Sequence, residues 1–158
     1  GSGKAQCDAR VVLDEAASVL RPQAEQRGIN LKVDLPIGDI QVAAAAEALN
    51  DIASNLLVNA LEAVPFGGHI TVSGEIREHT IAFFIDDDGA GIPESLREKI
   101  LQPFFTTKSQ GTGLGLAIVA RRVAECDGTL SWKSPLHDGG GTRFEIGLPR
   151  MKAIEEVQ

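Results

Sequence analysis

"TIAFFIDDDGAGI", residues 80–92, runs an apolar stretch straight into three carboxylates and two glycines one residue apart. The first half reads as a strand, because aromatic and β-branched side chains suit a pleated, half-buried surface. The second half cannot continue that strand: adjacent Asp residues repel one another, and Gly weakens any regular element. As a calcium loop it fails, since the fifth position counted from Asp86 is Ala90 and the twelfth is Arg97, where glutamate is required. Two readings stay open. The chain simply turns here, or a flat purine comes up against the backbone at Gly89 and Gly91 while an Asp accepts from its exocyclic amine.

The surrounding sequence supplies the rest of a sheet. "HITVSGEI" (69–76) reads as a strand, and Glu78 and His79 between it and the quoted run predict a hairpin. "INLKVDL" (29–35) alternates like a strand, and "TLSWKS" (129–134) and "TRFEIGLP" (142–149) flank a turn at Gly139–Gly141. Helical spacing of Val12, Leu13, Ala16, Ala17 and Leu20 predicts a helix over 8–27, with Pro22 as a possible kink and Gly28 as a stop. The longest helix runs from Ala43 to Val64, closed by Pro65. "PESLREKIL" (93–101) opens with Pro at a helix start, and "GLGLAIVARRVAECDG" (113–128) reads as a helix ended by Gly128. Helices interleaved with about five strands predict an α/β (α+β) two-layer sandwich: a mixed, mostly antiparallel sheet covered on one face.

At 158 residues the chain is one domain's worth of sequence, able to bury roughly 70% of its unfolded surface. Acidic residues outnumber basic ones 22 to 15 and aromatics make up 4%, which argues against a nucleic-acid surface. No run approaches the ~20 apolar residues of a membrane span, so no membrane contact by this domain is expected. Cys7 and Cys126 form no CxxC pair or zinc spacing. With no leader visible, this fits a cytoplasmic setting, with Cys126 a small buried hydrophobe. Residues 1–4 read as a remnant of expression, 5–150 as the domain and 151–158 as a loose tail.

The long helix carries a second signal. Leu49, Ile52, Ala53, Leu56, Leu57, Ala60 and Val64 make its buried stripe, while Asp51, Asn55, Asn59 and Glu62 share the opposite face. Asn competes for the backbone and is a poor helix former, so two in consecutive turns need a reason. One is a solvated polar face; the other is a hard-cation site, in which two side-chain carbonyl oxygens hold Mg²⁺ together with water and phosphate oxygens. A third signal is "PFFTTKSQGTGLGLAIV" (103–119). It is not G-x-G-x-x-G, because Leu116 takes the last position, and it lacks the GK[ST] of a P-loop. Alternate glycines running into an apolar helix read either as a flexible loop or as a phosphate cradle of free N–H groups, with Thr106, Thr107 and Lys108 just upstream.

Taken in order, "NLLVNALEA", "DDDGAGI", "PFFTTK" and "GTGLGLAIV" closely resemble the N, G1, F and G2 boxes of the ATP-binding domain of bacterial sensor histidine kinases. These belong to the superfamily that also holds gyrase, the ninety-kilodalton chaperones and the mismatch-repair ATPases. The resemblance covers about residues 8–150, including "GGGTRFEIGLP", and implies the Bergerat-type sandwich with ATP (or ADP) and Mg²⁺ as ligands. It implies that Asn59 ligates Mg²⁺ with Asn55 as its partner, that Asp87 reads adenine, and that Gly89, Gly91 and Ile92 line the base. By the same resemblance Phe105, Thr106, Thr107, Lys108, Gly111, Thr112, Gly113, Leu114, Gly115 and Leu116 meet the nucleotide and its phosphates, and Thr142 lies near the base. Asn55, Asn59 and Lys108 are the candidate catalytic residues. Only Ser109 and Gln110 separate "TTK" from "GTGLGL", which looks like the nitrogen-regulation type with a short lid. Asp88 stands where many relatives have Asn.

Asn55 then discriminates among ATP chemistries. Relatives that split ATP with water or phosphorylate serine resemble one another in carrying Glu there, because water and hydroxyls need a general base. A neutral imidazole already has a free lone pair near pH 7, so an amide at position 55 favours phosphoryl transfer to histidine. His69, His79 and His137 lack the acceptor context of a following acidic residue and then a Pro. The acceptor is therefore expected on separate dimerisation helices of the same kinase, with a response regulator downstream and this domain alone a monomer. The alternatives are an ATPase or anti-sigma-type serine kinase, which should carry Glu at 55, and a nucleotide-binding module without transfer activity.

Overall fold

A computed structural model describes residues 5–92, 94–96, 99, 115–136 and 140–151. Its elements are β1 (Cys7–Asp8), α1 (Ala9–Gln26), β2 (Asn30–Asp34), β3 (Gln41–Val42), α2 (Ala46–Ala63), β4 (His69–Ile76), β5 (Thr80–Asp87), a 3₁₀ turn (Glu94–Leu96), α3 (Gly115–Glu125), β6 (Thr129–Lys133) and β7 (Thr142–Pro149). The main sheet has the order β2-β4-β5-β7-β6. β2 and β4 are parallel, joined by a crossover through α2, and every other neighbour pair is antiparallel. The quoted apolar run is thus the central strand, hydrogen-bonded on both sides.

Strand periodicity sorts the side chains. Leu31, Ile70, Val72, Ile81, Phe83, Ile85, Phe144, Ile146 and Leu148 are buried together with Leu13 and Leu20 of α1, Leu49, Ile52, Leu56 and Leu57 of α2, and Val119 and Val123 of α3. The opposite face is polar. There Arg143 makes a two-pronged bond to Asp86 (2.7 and 2.8 Å) and lies 4.4 Å over the Phe84 ring, and Arg77 reaches Glu145 at 3.2 Å. One helical layer on one sheet face is the predicted sandwich.

The helices are placed by their ends. Asp8 caps α1 by accepting from the Arg10 N–H at 2.9 Å. Arg27, just past its other end, donates to the Leu61 carbonyl and, at 2.8 Å, to that of Val64, so one guanidinium satisfies carbonyls at the end of α2. α1 continues through Pro22 as one helix. Its neighbours β1 and β3 form a two-stranded sheet that periodicity could not reveal, each being two residues long. Val42 also bridges Arg150, and the Met151 N–H donates to the Gln41 carbonyl at 2.9 Å.

Two local expectations change. α3 ends at Glu125 and the left-handed residue after it is Asp127 (φ 55°), not Gly128. Gly128 is required for space instead: a Cβ there would lie 2.6 Å from the Gly147 carbonyl oxygen of β7. Of the helix expected over 93–101, the described part is the 3₁₀ turn and Lys99, whose N–H donates to the Leu96 carbonyl at 3.0 Å; the remainder lies outside the described residues. Cys7 and Cys126 are free, half-buried and packed against the core, and burial pushes both thiols up.

Candidate functional site

The three consecutive carboxylates are kept apart by being sent in three directions. Asp86 points to the polar sheet face and Arg143. Asp88 accepts from the His69 backbone N–H at 2.9 Å and pairs with His69 Nδ1 at 3.0 Å. Burial pushes the Asp88 carboxyl up, but those bonds outweigh it and hold the carboxyl below its usual range. Asp87, the last residue of β5, points to the helical side and is only 5% exposed. Burial raises its carboxyl above the ordinary range; the Gly89 N–H at 2.9 Å partly offsets this, and Asp88 and Asp86 add to it. A buried carboxylate with one main-chain donor retains lone pairs for another.

The backbone beyond Asp87 is packed to contact. A Cβ on Gly89 would lie 2.6 Å from the Ala63 carbonyl oxygen at the end of α2 and 3.1 Å from Asp87 Oδ1. Gly89→Ala should therefore displace backbone and lower stability by about 1–3 kcal/mol. A thermal melt checks this, and an unchanged midpoint would contradict the close approach. Gly91 has φ 89°, a conformation L side chains rarely adopt, and faces Ser134 Oγ. On the other side Gly141 donates to the Gly89 carbonyl at 2.7 Å. Thr142, 4% exposed, is the register partner of Asp87. The buried Ser134 joins these parts: its Oγ accepts from the Ile92 N–H (2.7 Å) and donates to the Gly141 carbonyl (3.1 Å), and Thr142 Oγ1 lies 3.2 Å away. Sequence reasoning missed Ser134, whose local signal is no more than a Ser-Pro pair at a strand end.

The polar face of α2 supplies the other half. Asn55 Nδ2 donates to the Asp51 carbonyl at 2.7 Å, one turn back. Its Oδ1 lies beside Gly115, where a Cβ would come within 3.5 Å. Asn59 is half-buried one turn further on, and Ala63, against Gly89, one turn beyond that. Asn55, Asn59 and Ala63 thus line one helix face over about 12 Å, with the start of described α3 at one end and the Asp87 loop at the other. Asp51 does not share this role. It pairs with Arg122 of α3 at 2.8 Å, which also lies 3.4 Å from Glu47, and so ties α3 to α2. Chemically, one end offers a buried carboxylate acceptor beside a closely packed glycine loop. The other offers amide oxygens, the hard donors that suit a divalent cation sharing anionic ligands.

The family model for Histidine kinase-, DNA gyrase B-, and HSP90-like ATPase matches residues 44–152. The chain belongs to this family. Sporulation kinase A of Bacillus subtilis is 32% identical over 139 residues, covering 88% of this chain and 23% of that protein, so the chain spans under a quarter of that relative. The Mycobacterial sensor histidine kinase MprB superposes with a TM-score of 0.84 at 29% identity, covering 94% of this chain and 98% of that one. Full-length ShkA in complex with AMPPNP gives a TM-score of 0.79 at 25% identity, covering 94% of this chain and 32% of that one.

In this ATPase-family domain the structure brings Asp87, Gly89, Gly91, Ile92 and Thr142 together around Ser134, and sets Asn55 against Gly115. Leu116, in the first turn of α3, packs against the core. Phe105, Thr106, Thr107, Lys108, Gly111, Thr112, Gly113 and Leu114 lie outside the described residues, as does His137. The His69 and His79 side chains are 65% and 79% exposed. Among the described residues no helix is long and apolar enough to cross a membrane.

Proposed function

We propose that this domain, residues 5–150, binds Mg·ATP along the α2 face and transfers the γ-phosphoryl group to a histidine on separate dimerisation helices of the same cytoplasmic sensor kinase. From there the phosphoryl group would pass to a response regulator. The observation that carries the reading is the helix face that presents the amides of Asn55 and Asn59 and then Ala63, bounded by Gly115 at one end and by Gly89 and buried Asp87 at the other. A base placed at Asp87 leaves the triphosphate to extend past Asn59 toward Asn55 and Gly115. ShkA, a structural relative, was solved with AMPPNP, which fits a triphosphate in such a groove.

Adenine donates its exocyclic amine to Asp87, and the missing Cβ atoms of Gly89 and Gly91 let the loop pack against the Ala63 carbonyl and Ser134 Oγ, which fixes the backbone wall beside the ring. Asn59, with Asn55, would hold Mg²⁺, which when bound neutralises phosphate charge; Lys108 adds a cation. The chain's own part is then positioning. The imidazole nitrogen bonds to the γ-phosphorus as the bond to the bridging oxygen breaks, and ADP leaves with the electron pair. Asn55 favours this over hydrolysis or serine phosphorylation, since its amide takes no proton from an attacking hydroxyl.

Asn59→Ala should weaken Mg·ATP binding and largely remove the benefit of added Mg²⁺. Calorimetric titrations with and without Mg²⁺ check this; a variant that keeps the full Mg²⁺ dependence would place the cation elsewhere.

A further inference from the structure

Ser134 lies outside every motif of the nucleotide-binding reading, yet it is the hydroxyl on which two separate chain segments close. Its hydroxyl can both donate and accept, and three of its contacts hold these segments together. Ile92 N–H donates to Oγ at 2.7 Å, Oγ donates to the Gly141 carbonyl at 3.1 Å, and Thr142 Oγ1 stands at 3.2 Å. The residue is buried, 7% exposed, and Oγ would be 2.9 Å from a Cβ on Gly91. The same two segments are also joined by the Gly141 N–H, which donates to the Gly89 carbonyl at 2.7 Å. Gly140, with φ 120°, lets that turn lie close enough that a Cβ would touch the Gly89 carbonyl oxygen at 2.8 Å.

We infer that Ser134 is a positioning residue for base specificity: its hydroxyl fixes the gap between the Gly89–Ile92 wall and the strand carrying Thr142, opposite Asp87. The inference rests on the adenine-binding reading of this site. Discrimination against guanine requires a fixed gap, because a carboxylate attracts the adenine amine and repels the guanine carbonyl only while the ring cannot slide. With the Ser134 bonds removed, the Gly91–Ile92 segment keeps its sequence and the Gly141–Gly89 bond but is held less closely to β7, and the ring gains room to shift away from Asp87.

The test is calorimetric titration of the folded protein with ADP and with GDP, for the wild type, Ser134→Ala, Ser134→Cys and Asp87→Ala. Ser134→Ala should bind ADP roughly tenfold more weakly, as expected for loss of a buried hydrogen bond, with GDP affinity changed less, so that the ADP-to-GDP ratio shrinks. Ser134→Cys, nearly the same size with a weak donor and acceptor, should fall between and serves if the Ala variant does not fold. A folded Ser134 variant whose ratio equals that of the wild type, while Asp87→Ala abolishes it, would overturn the role of Ser134 and leave the adenine site standing. Wild-type protein that does not prefer ADP would overturn both.

Discussion

Asp87→Ala should bind ADP about 10- to 150-fold more weakly than the wild type, the equivalent of ~1.5–3 kcal/mol for a lost hydrogen bond to a charged group. The size of the effect follows from burial. Asp87 is 5% exposed and already accepts from the Gly89 N–H, so its loss removes a charged acceptor that is held in place away from bulk water. The pH dependence has a definite sign. Burial raises the Asp87 carboxyl above its ordinary range, and the ionised form is the stronger acceptor for an amine donor. Affinity should therefore begin to fall, on acidification, at a higher pH than an exposed aspartate would give. Stability runs the other way: for an acid whose folded value is raised, ionisation costs folding free energy above that value, and the cost fades as pH falls toward the unfolded value. Asp87→Asn should thus melt at a higher temperature than the wild type near neutral pH while binding ADP less well. A variant that lost stability and kept affinity would show that this carboxylate does not face the base.

What could be read from sequence was whatever is local. The strand ending in Asp87, Gly89 and Gly91 carries its own turn chemistry, and the spacing of Asn55 and Asn59 follows from helix geometry, so both halves were visible without coordinates. What could not be read depends on chain segments that meet only in the fold. Thr142 was reached through the family resemblance alone, because register is what sets it opposite Asp87, and nothing around Ser134 announces that it will receive the Ile92 N–H. Helical periodicity grouped Asp51 with the two asparagines, but its partner is Arg122 on another helix, and periodicity on one helix cannot identify what faces it. Repulsion among Asp86, Asp87 and Asp88 suggested a binding site; in the fold, Arg143 and His69 occupy the outer two and leave the middle one as the buried acceptor.

The domain alone should hydrolyse ATP very slowly, because the position one turn before Asn59 is an amide. General-base assistance contributes ~10²–10⁴-fold to reactions of water or hydroxyls, and Asn55, with its amide nitrogen bonded back to the Asp51 carbonyl, cannot provide it. An imidazole held in line with the γ-phosphorus needs no proton removed first and gains from proximity. One measurement separates these outcomes: incubate the domain with Mg²⁺ and γ-labelled ATP, with and without the helical hairpin of its own kinase, and follow free phosphate and protein-bound label together. The expected result is label on the hairpin that is acid-labile and base-stable, as a phosphohistidine is, with little phosphate released by the domain alone. Rapid phosphate release by the domain alone, with the hairpin left unlabelled, would contradict it and make the protein an ATPase.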